Sequence, residues 1–291
     1  MPVYPAAAGS AASCASPGCR CRDRRPCYPS DLTGRQRAVP EPRAREVMAE
    51  LAIAAGRPMA HDLRAMCDAV SYAAKNGVER RALPVDLPPR EAAYAFFERR
   101  NGRGLPAELV RRLRELLRQH QGRAAQPTAC IVDSQIVKAR DTVAGKTSGY
   151  QGGKKITGRG RHLAVGKPLG RSAQAVAAVT VEVVARTSPH SFQVLRRRRA
   201  VERTFGWLMR YRRLTRDYER TTANSEAMIY WATIIIMTRR LARYENGQPR
   251  PRTARGLRSL RLIVVLRAGK LQAVADRVLR VNDLQAWTWT Q

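Results

Sequence analysis

Apolar residues recur at helical spacing through much of the first 120 positions. Leu63, Met66, Cys67, Val70 and Ala74 fall on one face of a 3.6-residue period, and Asn76-Gly77 follows with residues suited to closing a helix. Leu109, Leu113, Leu116 and Leu117 repeat the pattern and predict a helix over 105–119. A shorter helix over 91–100 carries Tyr94, Phe96 and Phe97. Upstream, Ser30 or Asp31 can cap a helix beginning near Leu32; Pro40 and Pro42 break it, and another helix covers 46–55. Residues 28–121 therefore read as one helical region and 122–127 as a linker.

The period changes at Thr128. Cys130-Ile131-Val132 runs into Asp133 and on through Ile136-Val137, a short apolar β run with an acid set into it. The segments 156–165 and 175–184 read as second and third strands, the second able to pair with the first as a hairpin. Helical spacing returns over 196–220, where Val201, Phe205 and Leu208 form one stripe and arginines crowd the other faces. A last apolar helix covers 225–243, ending in basic residues that suit a helix C-terminus. After a linker from Asn246, the tail 257–291 has its own amphipathic pattern at Leu271, Val274, Ala275, Val278 and Leu279. Helices first, then strands mixed with helices, indicate an α/β (α+β) chain.

Charge adds a partner class. The net charge is +31 and the pI about 11.4, with cations spread along the whole 291-residue chain, as expected of a protein that binds a polyanion. Only seven of the 54 basic residues are lysine. No apolar run reaches the roughly 20 residues of a membrane span, and no signal-peptide pattern opens the chain, so a cytoplasmic protein is expected. Cys14, Cys19, Cys21 and Cys27 cluster near the start, but their spacing fits no common zinc pattern. Residues 1–27 are expected to be an unstructured leader.

An acid in a strand (Asp133) and an acid on a later basic helix (Glu202) are the kind of pair that phosphodiester cleavage by two metal ions recruits from separate elements. Spacing alone does not single this pair out. The text around it does. IVDSQIVKARDT, GYQGGKKITGRGRHLAV, RRAVERTFGWLMRYRRLTRDYER and SEAMIYWATIIIMTRRLAR, in that order, resemble the DDE transposases of bacterial insertion sequences in the large four/five superfamily. The upstream block from YPSDLTGRQ to EAAYAFFERR resembles that family's N-terminal helical region, so 28–121 is expected to be a helical DNA-binding region and the resemblance spans roughly 28–243. It implies an RNase H-like core, Mg2+-dependent cut-and-join chemistry, and double-stranded DNA at the terminal inverted repeats of a mobile element as partner, engaged by a homo-oligomer.

On this resemblance Asp133 matches the first triad acid and Glu202 the third, making both catalytic and metal-ligating by implication, and Arg198 matches the arginine four positions before that glutamate. Arg199, Arg203, Arg210, Lys154, Lys155, Arg159 and Arg161 are the further DNA-binding candidates. The tyrosine and lysine of the family's extended signature fall at Leu195 and Met209 and are absent; Arg210 stands beside the second. The middle acid is absent too. No aspartate occurs between Thr142 and Arg216, and the strand and helix that carry it in relatives are missing, as after an internal deletion. Residues 128–245 are therefore expected to form a truncated RNase H-like core, and 246–291 a linker and a tail outside the family pattern. Two carboxylates hold two Mg2+ less well than three, so impaired cleavage with retained DNA binding is expected. The competing expectation is a non-enzymatic DNA-binding remnant.

Overall fold

Thr33 opens helix α1 (Gly34–Ala38) with a reciprocal cap: its hydroxyl accepts from the Gln36 amide and the Gln36 side chain accepts from the Thr33 amide. The cap falls later than Ser30 or Asp31 because the Asp31 carboxylate is engaged by the Cys27 and Tyr28 amides, each at 3.0 Å. Pro40 takes the first position of α2 (Pro40–Glu50), where a missing N–H removes no helical hydrogen bond. The proline that interrupts one helix thus begins the next. Asp62 caps α3 (Leu63–Asn76), and Gly77 closes it at φ 67°. A side chain at Gly77 would meet the Arg212 Cβ at 2.8 Å, so glycine is required both by the left-handed turn and by this approach. Helices α4 (Arg90–Gly102) and α5 (Leu105–His120) follow as expected.

The computed structural model describes residues 27–51, 61–127, 129–165, 180–183, 199–245 and 261–264. They divide into two compact units. The helical unit takes its described residues from 27–120, 211–214 and 223–245; the sheet unit takes them from 121–210, 215–222 and 261–264. The long helix α8 (Thr222–Glu245) therefore contributes mainly to the helical unit, not to the core over 128–245 in which the sequence placed it.

In the helical unit, α2 packs on α5, and α4 packs on both α3 and α5. The buried face is aliphatic and aromatic: Met66, Val70, Phe96, Phe97, Leu109, Leu113, Trp231 and Ile235 are each at most 4% exposed. The Phe96 and Trp231 rings lie 6.1 Å apart, so Trp231 is a core residue. Outside, Arg112 bridges from α5 to Glu46 (3.3 Å) and Glu50 on α2.

The sheet unit has strand order β2-β3-β1-β5-β4. Strands β1 (Ala129–Lys138), β2 (Gly149–Gln151) and β3 (Ile156–Val165) are antiparallel, with Asp133 opposite Leu163 and Lys138 opposite Gly158. Strand β5 (Arg261–Val264) pairs parallel to β1 on one side and to β4 (Thr180–Val183) on the other. The class is α+β, and three antiparallel strands continued by parallel ones give the RNase H-like sheet. Four tail residues that the sequence left outside this core thus form an interior strand. Leu262-Ile263-Val264 is an apolar run with two β-branched residues, and it lies between β1 and β4.

The basic helix expected over 196–220 is two helices among the described residues, α6 (Arg199–Leu208) and α7 (Arg212–Thr215). At about 100° per residue, Leu214 would sit roughly 140° round from Val201 on a continuous helix. Val201, Phe205 and Leu208 are buried in the sheet unit, and Tyr211 and Leu214 in the helical unit.

Candidate functional site

Helix α6 packs against β1 and β3 of the sheet unit, because Val201, Phe205 and Leu208 point inward, at 0%, 9% and 2% exposure. Just beyond its end, Met209 receives a hydrogen bond on Sδ from Gln135 Nε2 of β1 at 3.7 Å. Asp133 lies on β1, half-buried, and its Oδ1 accepts from the Ser134 amide at 2.8 Å. Glu202 stands in the first turn of α6, exposed. The two sequence-predicted acids therefore belong to one unit, one on a central strand and one on the helix that covers that strand.

The cationic candidates divide. Arg203 is exposed on α6, with its guanidinium 5.3 Å from the Trp207 ring centroid, and Arg210 is exposed just beyond the helix. Lys154 and Lys155 are exposed in the β2–β3 turn, Lys155 at φ 51°. Helix α6 begins at Arg199, whose side chain, like the whole of Arg198, lies outside the described residues, as do Cys14, Cys19 and Cys21.

Arg159 and Arg161, also expected to meet DNA, are buried, at 0% and 3% exposure. Burial pushes the Arg161 guanidinium down to about 10, against the opposing pull of Asp217. Arg159 is a clamp. It donates to the carbonyls of Glu219 (2.8 Å), Arg220 (3.0 Å) and Thr147 (3.2 Å), to the Thr147 hydroxyl, and forms an ion pair with Asp217 at 3.4 Å. Asp217 is 1% exposed and is tied to the end of β1, its amide donating to the Lys138 carbonyl and its carbonyl accepting from the Arg140 amide, both at 2.9 Å. Thr142 Oγ1 donates to the Tyr218 carbonyl at 2.8 Å. The segment Asp217–Thr221 lies against Arg159. Its backbone carbonyls and one carboxylate are what satisfy a buried guanidinium. The signal was present as an arginine in a strand between glycines and an isolated acid before Tyr218, but only the fold shows that the two meet.

Glycine at 158 belongs to the same construction. A Cβ there would lie 2.1 Å from the Val137 carbonyl oxygen, so β3 approaches β1 more closely than any side chain permits.

Among the described residues no group of three or more His, Cys, Asp or Glu side chains converges as a metal site. The carboxylates of Asp133 and Glu202 do not by themselves fit a two-ion centre, which draws on more anionic oxygens than two side chains supply. Among the described residues no helix is long and apolar enough to cross a membrane.

Comparison with known families gives one finding in this region. Residues 149–239 match the family model described as a transposase DDE domain. The match contains Glu202, the Arg159 clamp and its Asp217–Thr221 acceptors; Asp133 lies before it. No curated protein and no solved structure matches the chain. Residues 149–239 are thus similar to a transposase DDE domain.

Proposed function

We propose that this chain is a transposase of an insertion sequence that binds the element's double-stranded ends in the cytoplasm as a homo-oligomer, and that it is impaired in cleaving them. The observation that carries the reading is the match to a transposase DDE domain over the segment that holds Glu202 on α6, with α6 packed on the strand that holds Asp133. The +31 charge and the exposed Arg203, Arg210, Lys154 and Lys155 support a DNA partner. Asp133 and Glu202 are the retained acids. The middle acid is missing, and an internal deletion accounts for its loss. Relatives in this family use divalent metal; here the donor set is short for two ions, so no step is assigned to Mg2+.

The test is a cleavage and mobility-shift assay on element-end DNA with Mg2+ or Mn2+. The expected result is a specific shift with no robust cleavage. Robust cleavage that is lost in Asp133→Ala and Glu202→Ala would overturn the impairment. Absence of any specific shift would overturn the DNA-binding reading. A non-enzymatic DNA-binding remnant remains the second reading, favoured by the absence of a three-ligand cluster among the described residues.

A further inference from the structure

Lysine is scarce in this chain, and four of its seven copies fall within 138–155. The structure places three of them around the β2–β3 hairpin and leaves Lys138 on the opposite sheet face from Tyr150. Lys138 ends β1 opposite Gly158; Lys146 lies in the turn that leads into β2; Lys154 and Lys155 form the far half of the β2–β3 turn. All four are exposed. In the same hairpin Tyr150, opposite Thr157 on β3, is 69% exposed, whereas Tyr211 is 4% exposed and Tyr218 and Tyr230 are partly covered. The turn glycines Gly152 and Gly153 have nothing within 4 Å of the position a Cβ would take, so a ligand can approach the backbone closely. Arginines dominate the cations elsewhere, and the two in this hairpin's long strand, Arg159 and Arg161, are buried.

This combination has a specific chemistry. Lysines on flexible stems neutralise phosphates as point charges without demanding one geometry. An exposed phenol ring presents a face on which an unstacked base can lie, and stacking of this kind tolerates any base. An edge strand of three residues is too short to recruit another strand efficiently, which disfavours a protein partner bound by strand addition. We infer that the β2–β3 hairpin is a contact site for single-stranded or unpaired DNA, with Tyr150 stacking on a base and Lys146, Lys154 and Lys155 holding the flanking phosphates. The inference rests on the reading of the sheet unit as a DNA-handling core. Along β1, Lys138, level with Gly149 and Gly158, lies five residues from Asp133, about 17 Å at 3.4 Å per residue. The turn end of the hairpin is therefore distinct from Asp133.

The experiment uses the full chain and two labelled probes, a 20-nucleotide oligo(dT) and a 20-base-pair duplex, read by fluorescence anisotropy across a salt series. Tyr150→Ala weakens oligo(dT) binding about tenfold, the loss of one stacked base, while the duplex changes less than about twofold. Tyr150→Phe, which keeps the ring, binds both probes like the parent chain. The double change Lys154→Gln, Lys155→Gln flattens the salt dependence on oligo(dT) by roughly one to two in slope. Tyr150→Ala binding oligo(dT) like the parent, or losing both probes equally, overturns the stacking role; an unchanged salt slope overturns the phosphate contacts. A parent chain that binds the duplex but not oligo(dT) overturns this inference alone. A parent chain that binds neither overturns the DNA reading with it.

Discussion

The two units bury different things. The helical unit hides aliphatic and aromatic faces contributed by α3, α4, α5 and α8, and its charges pair across one helical turn or to an adjacent helix: Arg111 with Glu108 and Glu115, both at 2.6 Å, and Arg112 with Glu46. The sheet unit hides Val137, Val143, Val201, Phe205 and Leu208, and with them an arginine–aspartate pair at 0% and 1% exposure. The first kind of core loses stability in proportion to the apolar volume removed. The second depends on a few polar contacts, each of which leaves a desolvated partner behind when it is broken.

Breaking the buried pair is expected to have the largest effect. Arg159→Ala strands Asp217 and removes the donor from the carbonyls of Glu219 and Arg220, at a cost of about 3–5 kcal/mol. Hydrogen exchange followed by mass spectrometry should show lost protection over 129–165 and 217–221, with α3–α5 unchanged; loss spread evenly over both units would break the comparison. Next comes Leu113→Ala on α5, where a fully buried leucine leaves a cavity worth about 3 kcal/mol. Denaturant unfolding measures it, and a loss below 1 kcal/mol would mean that the helical core is looser than its burial indicates. Gly158→Ala should cost about 2 kcal/mol, because β1 and β3 must separate to admit the methyl group. Gly102→Ala, with nothing within 4 Å, should be near neutral by the same measurement.

The smallest effect is electrostatic. The Arg111 guanidinium, and to a lesser degree Arg112, holds the Glu108 carboxyl below its usual range. A depressed folded-state value contributes stability above the unfolded value of about 4.3, lost as the pH falls through the lower folded value. Because these side chains are partly exposed, the change amounts to under about 1 kcal/mol. Glu108→Gln should remove this part of the acid-range slope in thermal melts; an unaltered slope would show that the pairs on α5 are decorative.

Legibility followed the same division. Helices α3, α4 and α5 were readable because a helix shows its buried face within one contiguous segment, and Asn76-Gly77 marked a stop that Gly77 makes by adopting a left-handed φ. Strand β3 was readable to its ends. The failures came where a distant segment decided the outcome. Arg159 and Arg161 looked like DNA-binding cations because neighbours in sequence could not reveal that the chain near Asp217 returns to cover the first of them. Helix 196–220 looked continuous because each half has a valid stripe and nothing local marks the break between Leu208 and Arg212. Arg261–Val264 carried a β-forming run in plain view, but nothing local pairs it with β1. Of the candidate site, the acids were legible as one on a strand and one on a helix; that the helix packs on that strand was not.

By itself the sequence determined the cationic character, the helical first part, the positions of Asp133 and Glu202, and the switch to strands near Thr128. Those properties are sums over residues or periodicities within one segment, and they need no partner to be expressed. Tertiary structure alone decided which cations stay outside, where the basic helix breaks and which strand lies beside β1. Each of these depends on two segments far apart in the chain excluding water from the same place. Burial and pairing of that kind belong to the pair, and neither segment carries them alone.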